Sequence, residues 1–201
     1  VKMEHKPFLP ELTENQIIIR DTMKDFAEKN IRSVIMEYDE SQKFPMEIMK
    51  QLGDLGFLGI LVPEEFGGAG LGYVEYALII EELSKVDPSI GLSVAAHNGL
   101  CTNHINLFGN SEQKKKYLPD LASGKKIGAW GLTESFSGSD AAGLKSNAVK
   151  DGNYWILNGS KQFTTHGTVG ETYVVMAITN KGNNKKGISA FILEKGMEGL
   201  I

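Results

Sequence analysis

The chain has 201 residues, a net charge of -4, 41% hydrophobic and 23% charged residues. These are the proportions of an ordinary globular protein with room for one large or two small domains. They exclude a nucleic-acid surface, because no basic patch interleaves with aromatics and the one basic run, Lys114-Lys115-Lys116, is short.

Residues 1 to about 124 read as helical. Thr13 and Gln16 have capping-box spacing, in which each side chain satisfies a backbone donor at a helix start. Ile19, Met23, Phe26 and Asn30 then recur at helical spacing. Phe44-Pro45 opens a second helix with Pro in the first turn, Leu52 and Leu55 on its apolar face and Gly56 as its stop. Leu58 to Gly72 is a glycine-rich connection, and a third helix runs from about Tyr73 to Lys85. Asp87-Pro88 caps and opens a fourth, which ends near Phe108-Gly109. Ser111 caps a fifth, ending by Gly124. Glu81 and Glu82 read as a solvated helix face. His97 and His104 are seven residues apart on one face and lack the further ligands of a metal site, so they read as polar or capping residues.

After Lys126 the period changes to two. Ile127 to Thr133, Ser146 to Lys150, Tyr154 to Leu157, Tyr173 to Thr179 and Ile188 to Leu193 are predicted strands. Asp151-Gly152-Asn153 is a hairpin turn between the second and third. The expected fold class is α+β: a helical bundle over 1–125, then antiparallel strands over 126–201. Cys101 stands alone, so no internal disulfide forms; that suits a reducing compartment, with bacterial cytoplasm or mitochondrial matrix expected. No apolar run reaches the ~20 residues of a membrane span, and no signal or transit segment is evident at the N-terminus.

Two stretches carry chemistry. Gly128 to Asp140 reads as a strand that ends in a Ser, Gly and Asp turn, which gathers N–H and O–H donors at one place. Asn158 to Gly167 repeats the theme, with a turn followed by an aromatic and hydroxyls on a strand.

These stretches resemble the acyl-CoA dehydrogenase family. Its middle domain carries aromatic-x-x-Thr-Glu-Pro-x-x-Gly-Ser-Asp, matched here from Trp130 to Asp140, and Asn-Gly-x-Lys-x-Trp-Ile-Thr, matched by Asn158, Gly159, Lys161, Phe163 and Thr165. The resemblance implies that the second region is an incomplete antiparallel β-barrel-like domain of that family's type. It implies FAD as cofactor and oxidation of acyl-CoA thioesters to trans-2-enoyl products. Expected partners are the acyl-CoA substrate, an electron-transferring flavoprotein and further copies in a homo-oligomeric parent.

The same match assigns residues. Thr133 would bond the pyrimidine end of the flavin with help from the Leu132 backbone, and Trp130 would lie along the ring system. Ser139 would sit where the thioester and the CoA arm enter. Phe163 would cover the ring, and Thr165 would donate near N5 and O4. Leu92, Ser93, Ala96 and Leu100 would line the acyl pocket, with plain helix packing an equal reading for each. Thr133 and Thr165 taken singly are ordinary strand residues, and core packing serves equally for Trp130 and Phe163.

Departures from the pattern are Ser135 in place of Pro, Phe136 in place of a small residue, and Phe163 in place of Trp, which removes an indole N–H. Glu134 matches a structural position. The family's catalytic Glu falls beyond Ile201, so no catalytic residue is assigned in this chain, which alone is expected to be inactive and to hold FAD weakly or not at all. The last strand is expected to keep an unpaired edge. Alternatives are an acyl-CoA oxidase or other flavoenzyme of the same fold, a non-enzymatic module that binds acyl-CoA or a partner, and a truncated chain without function of its own.

Overall fold

A computed structural model describes residues 11–180 and 187–201. Helix α1, Glu14–Phe26, starts at the expected capping box: Gln16 N donates to Thr13 Oγ1 and Thr13 N to Gln16 Oε1. Its end widens into a π-helical turn, Ala27–Ile31. Met23 and Phe26 are buried as their spacing predicts, whereas Asn30 faces out and bonds back to Phe26 O. The short helix α2, Ile35–Ser41, has no counterpart in the sequence reading; its N-cap, Val34, makes no side-chain bond that would announce it.

Helix α3, Met46–Asp54, takes Pro45 as its N-cap, one position before the first turn. Leu52 is buried, but Leu55 is exposed, because the helix stops before that face returns to the core. Gly56, at φ 81°, makes the left-handed exit. Two further corrections concern α4, Tyr73–Val86, and α7, Ser111–Ala122. Glu82 is not on a solvated face; it is buried and accepts from Lys85 Nζ at 2.6 Å. The cap of α7 is Asn110, which exchanges bonds with Gln113, while Ser111 is already helical.

The fourth predicted helix is α5, Pro88–Ala95, capped by Asp87, then a π-helical segment, Ala96–Thr102, then α6, Asn103–Phe108. The π segment turns Asn98 toward the glycine-rich connection. Asn98 Oδ1 accepts from Ile60 N, and its Nδ2 donates to Phe57 O and Val94 O. Gly68 has no alternative there, since a Cβ would lie 2.0 Å from Val62 O. Asn98→Ala strands a buried N–H and two carbonyls, and thermal denaturation should report a loss of about 2 kcal/mol.

Among the described residues the sheet has five strands: β1 Gly128–Gly131, β2 Asn147–Asp151, β3 Tyr154–Asn158, β4 Thr172–Ile178 and β5 Ile188–Glu194. β2 and β3 form the expected hairpin, with Gly152 at φ 56°. β4 is central. It pairs antiparallel with β5 along its whole length, parallel with β1, and parallel with the start of β2 at Asn147↔Ile178. The sheet is therefore mixed, not antiparallel. A hairpin and the second motif separate β1 from β4, and that length of chain is what lets β4 return in the direction of β1.

Two apolar clusters join the parts. One unites Met23, Ile48, Leu52, Ile79 and Ile90 of the helices with Leu58 of the turn that follows α3. The other unites Val62, Cys101, Ile105, Leu118 and Leu121 with Val174 of β4, so helices and sheet share a core. Among the described residues no helix is long and apolar enough to cross a membrane.

Candidate functional site

β1 delivers the first motif out of this shared core. Gly128 lies so close to the π segment that a Cβ would meet Cys101 Sγ at 2.8 Å. Its N–H donates to His97 Nδ1 at 3.0 Å, and its carbonyl lies 2.9 Å from His166 Nδ1. The first bond requires His97 to carry its proton on Nε2, which donates to Leu121 O at 3.0 Å. The second requires the opposite tautomer in His166, leaving a buried Nε2 with no partner among the described residues. Burial pushes the His97 pKa down to about 4, against the raising effect of the Leu121 carbonyl, and also lowers that of His166.

Beyond Gly131 the chain leaves the strand at Leu132 and Thr133 and then closes a tight turn. Glu134 N donates to Ser137 O, and Ser137 N to Glu134 O. That turn is held by backbone bonds with Ser135 in the usual place of Pro. Phe136 points outward, with Lys145 Nζ 4.0 Å above its ring.

The second motif is stapled to the first. Lys161 Nζ donates to Leu132 O at 3.1 Å and to Glu134 Oε1 at 2.7 Å, and Gln162 N donates to Thr133 O at 2.8 Å. Glu134 is only 4% exposed. It also accepts from Lys145 N and Ser146 N, which pins the approach to β2. Burial alone would raise its pKa, but the Lys161 ammonium and these donors hold it down to about 2. A carboxylate so engaged is a clamp and cannot serve as a base near neutral pH.

The second motif is not a strand. Phe163 and His166 adopt left-handed backbone, at φ 53° and 66°, and the segment is a run of bends and turns. Such conformations break an extended run and are strained for residues other than glycine. Phe163 is left 90% exposed on this turn.

The other expected site residues fall as follows. Leu132, Thr133 and Thr165 are half-buried, and Ser139 is exposed beyond the tight turn. Trp130 packs against the helix–sheet cluster beside Phe66 and Ile192, with its indole N–H buried and unpartnered among the described residues. Ala96 is buried in the π segment, Ser93 is half-buried, and Leu92 and Leu100 are exposed. The hydrogen bonds thus bring Leu132 and Thr133 to the second motif, while none joins Ser139 to it. His97 and His166 were missed as positioning groups, because neither histidine's spacing points to Gly128. His97 and His104 do not share an environment: His97 bridges helix to strand, whereas the His104 ring lies tilted against Phe108.

The family model for the acyl-CoA dehydrogenase N-terminal domain matches residues 13–125, and that for the middle domain matches residues 129–201. The short-chain specific acyl-CoA dehydrogenase of Clostridium acetobutylicum is 45% identical over 188 residues, which is 94% of this chain and 50% of that protein. A solved chain described with the electron transferring flavoprotein of Acidaminococcus fermentans superposes with a TM-score of 0.91 at 46% identity, over 95% of this chain and 50% of that one. An acyl-CoA dehydrogenase of Bacillus anthracis complexed with FAD gives 0.86 at 39% identity, over 96% and 33%. The chain spans about half the length of the curated relatives it matches. With both domain models accounting for nearly all of its residues, the chain belongs to the acyl-CoA dehydrogenase family.

Proposed function

We propose that this chain supplies the flavin-facing and acyl-facing half of an enzyme that dehydrogenates acyl-CoA thioesters between Cα and Cβ. The observation that carries the proposal is the stapling of the two motifs, which fixes Leu132 and Thr133 beside a turn that presents an exposed Phe163. A flat, polar-edged ring fits these residues. The Phe163 face is 90% exposed, and the Trp130 N–H is a buried donor without an acceptor among the described residues. FAD, when bound, supplies the acceptor for the hydride that leaves Cβ.

The residues of this chain bind and orient. The Thr133 hydroxyl and the Leu132 backbone would hold the pyrimidine edge, Thr165 the opposite polar edge and Phe163 the face. Ser139 would meet the thioester arm. Leu92, Ser93, Ala96 and Leu100 would border the acyl chain. Glu134 is already committed to Lys161, and the family resemblance places the carboxylate that removes the Cα proton outside these residues. We divide the chain near residue 125 into a helical domain and a β-domain. An electron-transferring flavoprotein is the redox partner this reading requires.

Titrating the purified protein with FAD and following flavin fluorescence should give weak, saturable binding, about tenfold weaker in Thr133→Val. Absence of saturable binding would refute the flavin reading. Adding butyryl-CoA anaerobically should leave the flavin band intact; bleaching would show that a base is present after all.

A further inference from the structure

We propose that Lys161 is a positioning residue that turns the Thr133 N–H into a strong donor for a bound flavin, with Glu134 holding Lys161 in place. The proposal rests on the flavin reading above and adds a role that the motif match leaves unassigned. Lys161 Nζ bonds to Leu132 O, and Leu132 O and Thr133 N belong to one peptide unit. An ammonium on the carbonyl oxygen draws electron density through the amide plane and makes the N–H at its other end more positive. The Lys161 side chain is 10% exposed and that of Glu134 is 3% exposed, so water does little to screen this effect.

The Thr133 N–H is the group left over. The ladder between β1 and β4 ends at Gly131↔Val175. The two carbonyls of the stretch, Leu132 O and Thr133 O, are taken by Lys161 and Gln162. No acceptor for the Thr133 N–H occurs among the described residues. One end of the peptide is thus polarised while the other is open, beside the turn that exposes Phe163. The ligand chemistry that meets it is an electron-rich oxygen or imine nitrogen on a planar ring, as at the pyrimidine edge of an isoalloxazine.

Two variants separate positioning from plain structural support. Lys161→Met leaves the Glu134 carboxylate buried without its cation and should lower the melting temperature. The double variant Glu134→Gln/Lys161→Met removes both charges and should recover much of that loss, since neutral replacement of a buried pair is tolerated. FAD affinity should not recover with it: both variants should bind about tenfold more weakly than the parent protein. The visible spectrum of the flavin they do bind should be shifted from that in the parent protein. A double variant that regains melting temperature, affinity and spectrum together would reduce Lys161 to structural support and overturn the proposal. Failure of the unaltered protein to bind FAD would instead bring down the flavin reading itself, and this proposal with it.

Discussion

Replacing Glu134 with alanine should lower folding stability by about 3–5 kcal/mol, read as a fall in the urea midpoint. The side chain is 3% exposed and answers three donors from two segments: Lys161 Nζ from one, and Lys145 N and Ser146 N from the other. Truncation leaves the Lys161 ammonium without its counter-charge and strands two backbone N–H groups. Glu134→Gln should fall between alanine and wild type, because an amide oxygen in the Oε1 position can still accept from Lys161 and Ser146 while the amide NH2 faces the Lys145 N–H and the negative charge is gone. The same carboxylate gives a pH signature. Its folded pKa, about 2, lies below its ordinary 4.5, so its contribution is complete above pH 4.5 and drains away as the pH falls toward 2. Glu134→Gln should remove that part of the acid limb. An unchanged acid limb in the variant would mean that Lys161 and the two N–H groups do not hold the carboxylate ionised.

The chain announces those features that depend on neighbours in sequence. The Thr13–Gln16 box, the Asp87-Pro88 helix start and the Asp151-Gly152-Asn153 turn are each settled within four residues, and all three stand in the structure. What stayed hidden depends on partners far along the chain. The parallel pairing of β1 with β4 joins residues 44 apart, and alternation of apolar residues carries no sign of strand direction. The π-helical segment looks like ordinary helix in periodicity; what distinguishes it is Asn98 reaching back to Phe57 and Ile60. The left-handed Phe163 and His166 defied the usual association of that conformation with glycine.

The candidate site divides in the same way. Residue identities at the two motifs were legible. That Lys161 and Glu134 are the staple was not, because a Lys in a loop and a Glu before a turn are ordinarily solvated. Burial converts them into a clamp, and burial is a property of the whole fold. Trp130 shows the converse. Its motif position suggests the ring system, yet its side chain serves the core shared by helices and sheet. A Trp130→Ala protein would lose that packing first, with a lower melting temperature.

Acidification from roughly pH 7 to roughly pH 4 should cost the fold about 3 kcal/mol through His97 alone. Its ordinary pKa of 6.5 falls to about 4 in the folded protein, with burial the leading cause and the nearby His166 adding to it. Between those values the unfolded chain holds a proton that the folded chain refuses, so stability rises with pH. The contribution is complete above 6.5 and is lost as the pH falls through 4. Protonated His97 cannot accept from Gly128 N–H, and Gly128 is the first residue of the strand that carries Trp130, Leu132 and Thr133 toward the site. Loss of that bond loosens β1 from the π segment at the very point where His166 holds the carbonyl of the same residue. His97→Gln keeps an acceptor for Gly128 and a donor for Leu121 but cannot titrate. It should fold near neutral pH and show a shallower fall in urea midpoint between pH 6.5 and 4, with His166 supplying the slope that remains. An undiminished slope in His97→Gln would place the acid sensitivity elsewhere and leave the Gly128 junction indifferent to pH.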